Sequence, residues 1–124
     1  MPDYAEHTLP YLLNRHDPLI NGVGDFVLPD YSGYGLSSIA ATVSALLGGP
    51  QLQAACLAPQ IVERLGKGYR NIVLILVDAL GYDHLQRLMA QGYAEYWREN
   101  LPLASLFPLT SISPSTTATA LTTL

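Results

Sequence analysis

The chain has few charged residues and a single cysteine. Asp, Glu, Lys and Arg make up 13% of its 124 residues, whereas about 25% is usual for a globular domain. The lone Cys56 excludes an intrachain disulfide and a zinc site built from several thiolates. It lies in an apolar stretch, residues 52–58, so we expect it to pack rather than to act as a nucleophile. With 49% hydrophobic residues, the composition favours a piece of a larger protein that would cover much of its surface.

Basic clusters and long hydrophobic runs are also missing. The chain has six Lys and Arg residues and ten Asp and Glu residues, which gives a net charge of −4, so no nucleic-acid partner is expected. The longest apolar run, residues 72–77, is far too short to span a bilayer, so no membrane partner is expected. Residues 1–7 have neither the basic start nor the apolar core of a signal peptide, and we therefore expect a cytoplasmic protein.

The first part of the chain is rich in proline, glycine, tyrosine and aspartate. Pairs such as Asn21-Gly22 and Pro29-Asp30 are turn signals. This composition predicts that residues 1–36 form an extended N-terminal arm with little regular structure.

The remainder, residues 37–124, alternates helical and strand patterns. Residues 71–77 contain six consecutive β-branched or leucine residues, which is typical of a strand buried on both faces of a parallel sheet. A second short strand is predicted at 103–107. Apolar spacing and hydroxyl-rich or glycine boundaries predict helical segments at 37–47, 57–66, 82–91, 93–99 and 115–124. The alternation predicts an α/β fold, a mostly parallel sheet flanked by helices. Because two strands cannot form such a sheet, we expect a truncated domain.

An aspartate directly follows the first predicted strand. Asp78 would lie at the carboxyl edge of the sheet, where α/β enzymes build their sites. A buried carboxylate without a partner is costly, and a metal ion is one possible partner. The alternative is structural, with Asp78 capping the next helix or accepting hydrogen bonds from loop amides.

A hydroxyl-rich turn precedes the last predicted helix. One of the hydroxyl residues after Pro114 should cap that helix. The backbone N–H groups of a helix start favour a phosphate or an alkoxide oxygen, which makes Thr117 a candidate nucleophile. The alternative is that Thr117 is simply the N-cap. A carboxylate beside such a threonine would be half of a metal-assisted nucleophilic site.

Together the two segments resemble the alkaline phosphatase superfamily, and within it the type I phosphodiesterase and nucleotide pyrophosphatase branch. Members of that branch have an apolar strand ending in Val-Asp-Gly or Val-Asp-Ala-Leu-Gly, followed by a Phe-Pro-Ser-x-Thr type motif. The matching residues here are Val77-Asp78-Ala79-Leu80-Gly81 and Pro114-Ser115-Thr116-Thr117, with Phe107-Pro108 before them. The resemblance covers residues 70–124.

The resemblance implies a role for each residue. Thr117 would be the catalytic nucleophile that attacks phosphorus, with Thr116, at the variable position of the motif, as the second candidate. Asp78 would be a ligand of one of two divalent metal ions, usually zinc. The Thr117 oxygen would bind the same ion as Asp78. The family's other Asp and His ligands lie further downstream and cannot be placed here. Residues 37–124 would then be the N-terminal portion of a metal-dependent hydrolase of small phosphate esters, inactive as a fragment.

Two kinds of alternative remain open. Within the superfamily, phosphonate hydrolases use a similar threonine motif. Sulfatases require a Cys/Ser-x-Pro-x-Arg motif that is missing here, and phosphoglycerate mutases usually have a serine nucleophile. Outside the superfamily, the chain would be a small non-catalytic α/β binding or scaffold module in which Asp78 and Thr117 only cap helices.

Overall fold

The computed structural model describes residues 4–15, 27–100 and 103–124, and in these ranges the chain is helical. Six α-helices occur there: α1 Tyr4–Leu13, α2 Ser38–Leu46, α3 Pro59–Leu65, α4 Tyr82–Ala90, α5 Glu95–Asn100 and α6 Thr117–Thr123. In the same ranges, none of the helices combines the length and the hydrophobicity needed to cross a bilayer.

The predicted α/β fold with a parallel sheet is wrong, because the described residues contain no sheet. Residues 71–77 form no strand, and their backbone makes no hydrogen bond to the backbone of another described residue. Apart from the half-buried Ile72, their side chains are exposed, at 81% for Val73 and 79% for Ile75. Residues 103–107 form no strand either. The composition of the run suits a strand, but a strand requires a neighbour to pair with, and the described chain offers none.

One isolated parallel bridge, between Gly35 and Thr110, is the sole β-type pairing among the described residues. Thr110 N donates to Tyr34 O at 2.8 Å, and Leu36 N donates to Thr110 O at 3.1 Å. The bridge therefore joins the turn before α2 to the segment before α6, and it lies at neither of the two predicted strands.

The five predicted helical segments are confirmed as α2 to α6, within a few residues at each end. Helix α3 begins with a proline, which suits the first helical position, and it ends at Gly66, whose φ of 83° suits glycine. In α4, Met89 is buried and Leu85 and Leu88 are half-buried, as their spacing predicted.

Helix α1 was not predicted, because it lies in the stretch expected to have little regular structure. Ala5, Thr8 and Leu12 are buried and recur at intervals of three and four residues, which is the helical period. Pro10 lies inside the helix, and the turn-forming residues nearby obscured this spacing in the sequence. The predicted turn at Asn21-Gly22 lies outside the described residues.

Buried residues lie in α1, α2 and α3 and in the segments around the bridge. The buried apolar residues are small or medium in size, and buried polar residues lie among them. Ala58 N donates to Gly33 O at 2.9 Å, which ties the start of α3 to the turn before α2. The buried residues include Ala5, Thr8, Leu12, Asp30, Ser38, Ala41, Thr42, Ala58, Ile61, Thr110 and Ile112.

Candidate functional site

Asp78 and Thr117 lie within hydrogen-bond distance of each other. Thr117 Oγ1 donates to Asp78 Oδ1 at 3.2 Å and lies 3.4 Å from Asp78 Oδ2. The two residues are 39 positions apart in sequence, and both are exposed. The structure thus brings together the two residues singled out by the motifs, although the sheet edge that was expected to do so is not found in the described residues.

The backbone next to Asp78 turns sharply. Ala79 has a φ of 58°, in the left-handed region that non-glycine residues seldom adopt, and its N–H donates to Asp78 Oδ1 at 2.9 Å. Asp78 does not cap α4, because Gly81 is the N-cap residue of that helix. The carboxylate therefore accepts hydrogen bonds from a loop amide and from the Thr117 hydroxyl, and Asp78 is an exposed residue.

The two candidate threonines have different partners. Thr116 is the N-cap of α6, and its Oγ1 accepts from Thr119 N at 3.3 Å and lies 2.8 Å from Thr119 Oγ1. Thr117 is the first residue of the helix, so it is not the N-cap. The hydroxyl of Thr116 is thus occupied by the helix end, whereas that of Thr117 faces Asp78.

Other potential ligands are dispersed over the described residues. Asp83 forms an exposed ion pair with Arg87 at 3.0 Å, and His84 is exposed on the same helix. In the part of the chain that the structure describes, no group of three or more His, Cys, Asp or Glu residues could hold a metal ion. The Asp78–Thr117 pair is therefore a partial site, with one carboxylate and one hydroxyl.

A groove of about 430 Å³ lies elsewhere, between the end of α2 and the end of α3. Its walls include Leu46, Val62, Lys67 and Tyr69. Neither Asp78 nor Thr117 lines it, so the groove does not provide the pocket for this pair.

A buried carboxylate, whose sequence signature predicts only a turn, organises the backbone before α2. Asp30 is 1% exposed, and its Oδ1 accepts from Ser32 N at 2.8 Å and from Tyr34 N at 3.0 Å. Its Oδ2 pairs with the Arg15 guanidinium at 2.8 Å. Burial by itself would raise the pKa of Asp30, but the bonds from the Tyr34 and Ser32 amides and the Ser32 hydroxyl, with the Arg15 charge, together lower it.

The signal for this turn was present in the sequence. In an Asx turn, an aspartate side chain accepts a hydrogen bond from the backbone amide two residues later. Pro29-Asp30 followed by Ser32-Gly33 is a typical composition for such a turn. These residues were recognised as turn signals, but a turn signal does not indicate that the aspartate is buried and paired across the fold.

Comparisons with protein-family models, with curated proteins and with solved structures each found no match for this chain.

Proposed function

We propose that this chain contributes the nucleophile and one metal ligand of a metal-dependent hydrolase of phosphate esters. In this proposal Thr117 is the nucleophile, and Asp78 orients its hydroxyl and binds a divalent ion. The observation that supports the proposal best is the 3.2 Å hydrogen bond from Thr117 Oγ1 to Asp78 Oδ1, which joins the two motifs of the family resemblance in space.

The chemistry proposed for the pair is a two-step substitution at phosphorus. Thr117 Oγ1 already donates its hydrogen to Asp78, so its lone pairs are directed away from the carboxylate. Attack forms a bond from Thr117 Oγ1 to phosphorus and breaks the bond to the leaving oxygen, while the hydroxyl proton passes towards the carboxylate. Water then hydrolyses the phosphothreonine ester and restores the hydroxyl. Both side chains are exposed, so a substrate can reach them.

The donor atoms of the pair fit part of the coordination shell of one ion. Carboxylate and hydroxyl oxygens are ligands that Zn²⁺ and harder divalent ions accept. When bound, such an ion would supply positive charge that stabilises the deprotonated threonine oxygen and polarises the phosphoryl group. A two-ion site needs further ligands, and the described residues contain no group that supplies them. Activity is therefore expected of the complete gene product and not of these residues by themselves.

The test is hydrolysis of bis(p-nitrophenyl) phosphate and p-nitrophenyl phosphate by the complete gene product, with Zn²⁺ and after treatment with EDTA. We expect activity that EDTA abolishes and Zn²⁺ restores. Thr117→Ala should lower kcat by about 10³-fold or more, because it removes the attacking oxygen. Thr117→Ser, which keeps a hydroxyl, should retain part of the activity. Asp78→Asn should weaken the response to added Zn²⁺.

Thr116→Ala is the matched variant for the neighbouring hydroxyl. Because Thr116 caps α6, its loss should lower stability by about 1 kcal/mol while kcat keeps its order of magnitude. A large loss of kcat in Thr116→Ala with an active Thr117→Ala would reassign the nucleophile. Hydrolysis of a phosphonate but of neither ester would favour a phosphonate hydrolase. Activity unaffected by either Thr117 or Asp78 substitution would leave the pair with a structural role, as in a binding module.

A further inference from the structure

The buried Asp30 carboxylate fixes the shape of residues 30–36, which we call the Asp30 turn. One oxygen accepts from two backbone amides of the turn, Ser32 N and Tyr34 N. The Ser32 hydroxyl and the Arg15 guanidinium complete its partners. Two segments of the chain, the Asp30 turn and the residue after α1 that carries the guanidinium, thus meet at one carboxylate with no exposed side-chain area. A turn held in this way is a rigid element rather than a loop that samples several shapes.

The Asp30 turn holds Thr110 through both its backbone and its hydroxyl. Asp30 N donates to Thr110 Oγ1 at 2.7 Å, Thr110 N donates to Tyr34 O, and Leu36 N donates to Thr110 O. Gly35 lies so close to these groups that an added Cβ would stand 1.9 Å from Asp30 O. Backbone cannot move aside as the end of a long side chain can, so the packing here admits no side chain at position 35.

Contacts continue from Thr110 towards the proposed nucleophile. Ile112 is buried, and Ser113 N donates to the Tyr31 hydroxyl at 3.3 Å, so the Asp30 turn contacts this segment a second time. Thr116 N donates to Pro114 O at 2.9 Å, and Thr116 caps the helix that begins at Thr117. The segment from Thr110 to Thr117 is thus tied to the Asp30 turn by backbone hydrogen bonds at Thr110 and Ser113, and it carries the buried side chain of Ile112 between them.

We propose that Asp30 is a positioning residue for the Asp78–Thr117 pair, acting through Thr110 on the backbone that leads to Thr117. The inference rests on the proposed function for its catalytic consequence, whereas its structural part stands independently. Asp30 does not touch the pair. It sets where the backbone at Thr110 lies, and Thr110 in turn limits where Thr117 presents its hydroxyl. A displacement of about 1 Å in the position of a reacting group such as the Thr117 hydroxyl can reduce turnover about 100-fold.

Four variants test the inference. Asp30→Asn removes the charge that organises the turn, and Thr110→Val keeps Asp30 but removes the oxygen that accepts from Asp30 N. Thr110→Ser retains that oxygen and should rescue the defect. Ser105→Ala is the control. Ser105 lies a few residues before Thr110, and its hydroxyl accepts an exposed hydrogen bond from Arg64 Nε, so its removal leaves the Asp30 turn unchanged.

The first readout is amide hydrogen exchange at neutral pH, which is independent of activity. In Asp30→Asn and Thr110→Val we expect residues 110–120 to exchange about tenfold faster relative to α4, with Thr110→Ser and Ser105→Ala like the wild type. Unchanged exchange in Thr110→Val, which leaves the Asp30 charge in place and is the milder variant, would overturn the inference whatever the protein catalyses.

The second readout is steady-state hydrolysis by the complete gene product. Thr110→Val should lower kcat about tenfold or more with KM little changed, because positioning acts on the reacting oxygen and not on ground-state binding. Faster exchange without a fall in kcat would refute the positioning role. Thr117→Ala separates the two claims: if it leaves hydrolysis intact, the proposed function fails and with it the catalytic role of Asp30, whereas the exchange result alone decides whether Asp30 holds the segment.

Discussion

Replacing Asp30 with asparagine should destabilise the protein in a strongly pH-dependent way. The carboxylate has no exposed area, and five contacts within 3.2 Å converge on it from Arg15, Ser32 and Tyr34. Asparagine keeps one acceptor oxygen, which can still serve the two amides. Its NH₂ group, however, faces the Arg15 guanidinium and the Ser32 hydroxyl in place of an anionic oxygen.

The size of the effect follows from what is left unpaired. Breaking a fully buried ion pair costs about 3–5 kcal/mol. The Arg15 side chain is 31% exposed and can turn towards water, which lowers that figure. The asparagine oxygen preserves part of the amide bonding. We therefore expect Asp30→Asn to lower the free energy of unfolding at pH 7 by about 2 kcal/mol, and Asp30→Ala by about 3 kcal/mol.

The sign of the pH dependence follows from the lowered pKa of Asp30 in the folded state. An unfolded aspartate has a pKa of about 3.9, so between the folded and unfolded values the unfolded chain binds more protons. The contribution of Asp30 to stability is thus fully present above about pH 5 and is lost as the pH falls through the folded pKa. The difference between wild type and Asp30→Asn should accordingly shrink as the pH is lowered from 7 to 3.

Urea denaturation followed by circular dichroism at several pH values measures this difference. Asp83→Asn is the matched control, because Asp83 is also paired with an arginine but is exposed, so its loss should change stability little at any pH. A wild-type to Asp30→Asn difference that stays constant, or that grows towards pH 3, would refute the argument that the buried carboxylate stabilises the fold in its charged form.

Two further predictions concern a pair of buried hydroxyls and the exposed apolar run. Thr42 Oγ1 accepts from Leu57 N at 2.7 Å, so Thr42→Val should cost about 1–3 kcal/mol in urea denaturation. Ser38 Oγ is buried without a partner among the described residues, so Ser38→Ala should instead stabilise by about 1 kcal/mol, and a loss of stability would contradict this. Replacing the exposed Val73 and Ile75 with lysine should reduce self-association, measured by light scattering, and leave Tm nearly unchanged. Unchanged self-association would show that these two side chains do not mediate it.

Helices α2 to α6 were predictable because their signals are local. Apolar spacing, a proline at the start of α3 and glycines after α3 and α4 each act within one or two turns of the chain. The sheet was not predictable in the same way. Residues 72–77 have the composition of a buried strand, but whether they form one depends on partners far away in sequence, and the described chain places none beside them.

The site was partly predictable for a related reason. The motifs singled out Asp78 and Thr117, and the two side chains do form a hydrogen bond. The edge of a sheet was expected to bring them together, whereas the contact is made between a loop and the start of α6. Asp30 and Thr110 were missed because their significance lies in a contact across 80 positions, which no local pattern encodes.

The two residues of the candidate site, Thr117 and Asp78, differ in how firmly the fold holds them. Thr117 follows a segment anchored to the core through Thr110, whereas Asp78 ends a stretch whose backbone is unpaired among the described residues. One exposed hydrogen bond contributes about 0.5–1.5 kcal/mol, while ordering each backbone residue costs about 1–2 kcal/mol. The Thr117 contact alone therefore cannot hold Asp78 in place. Burying the apolar side chains of residues 72–77 could, at about 1.5–3 kcal/mol for each large one. Under the proposed function, the metal ligand consequently lies on the less constrained half of the site, and the nucleophile on the half anchored to the core.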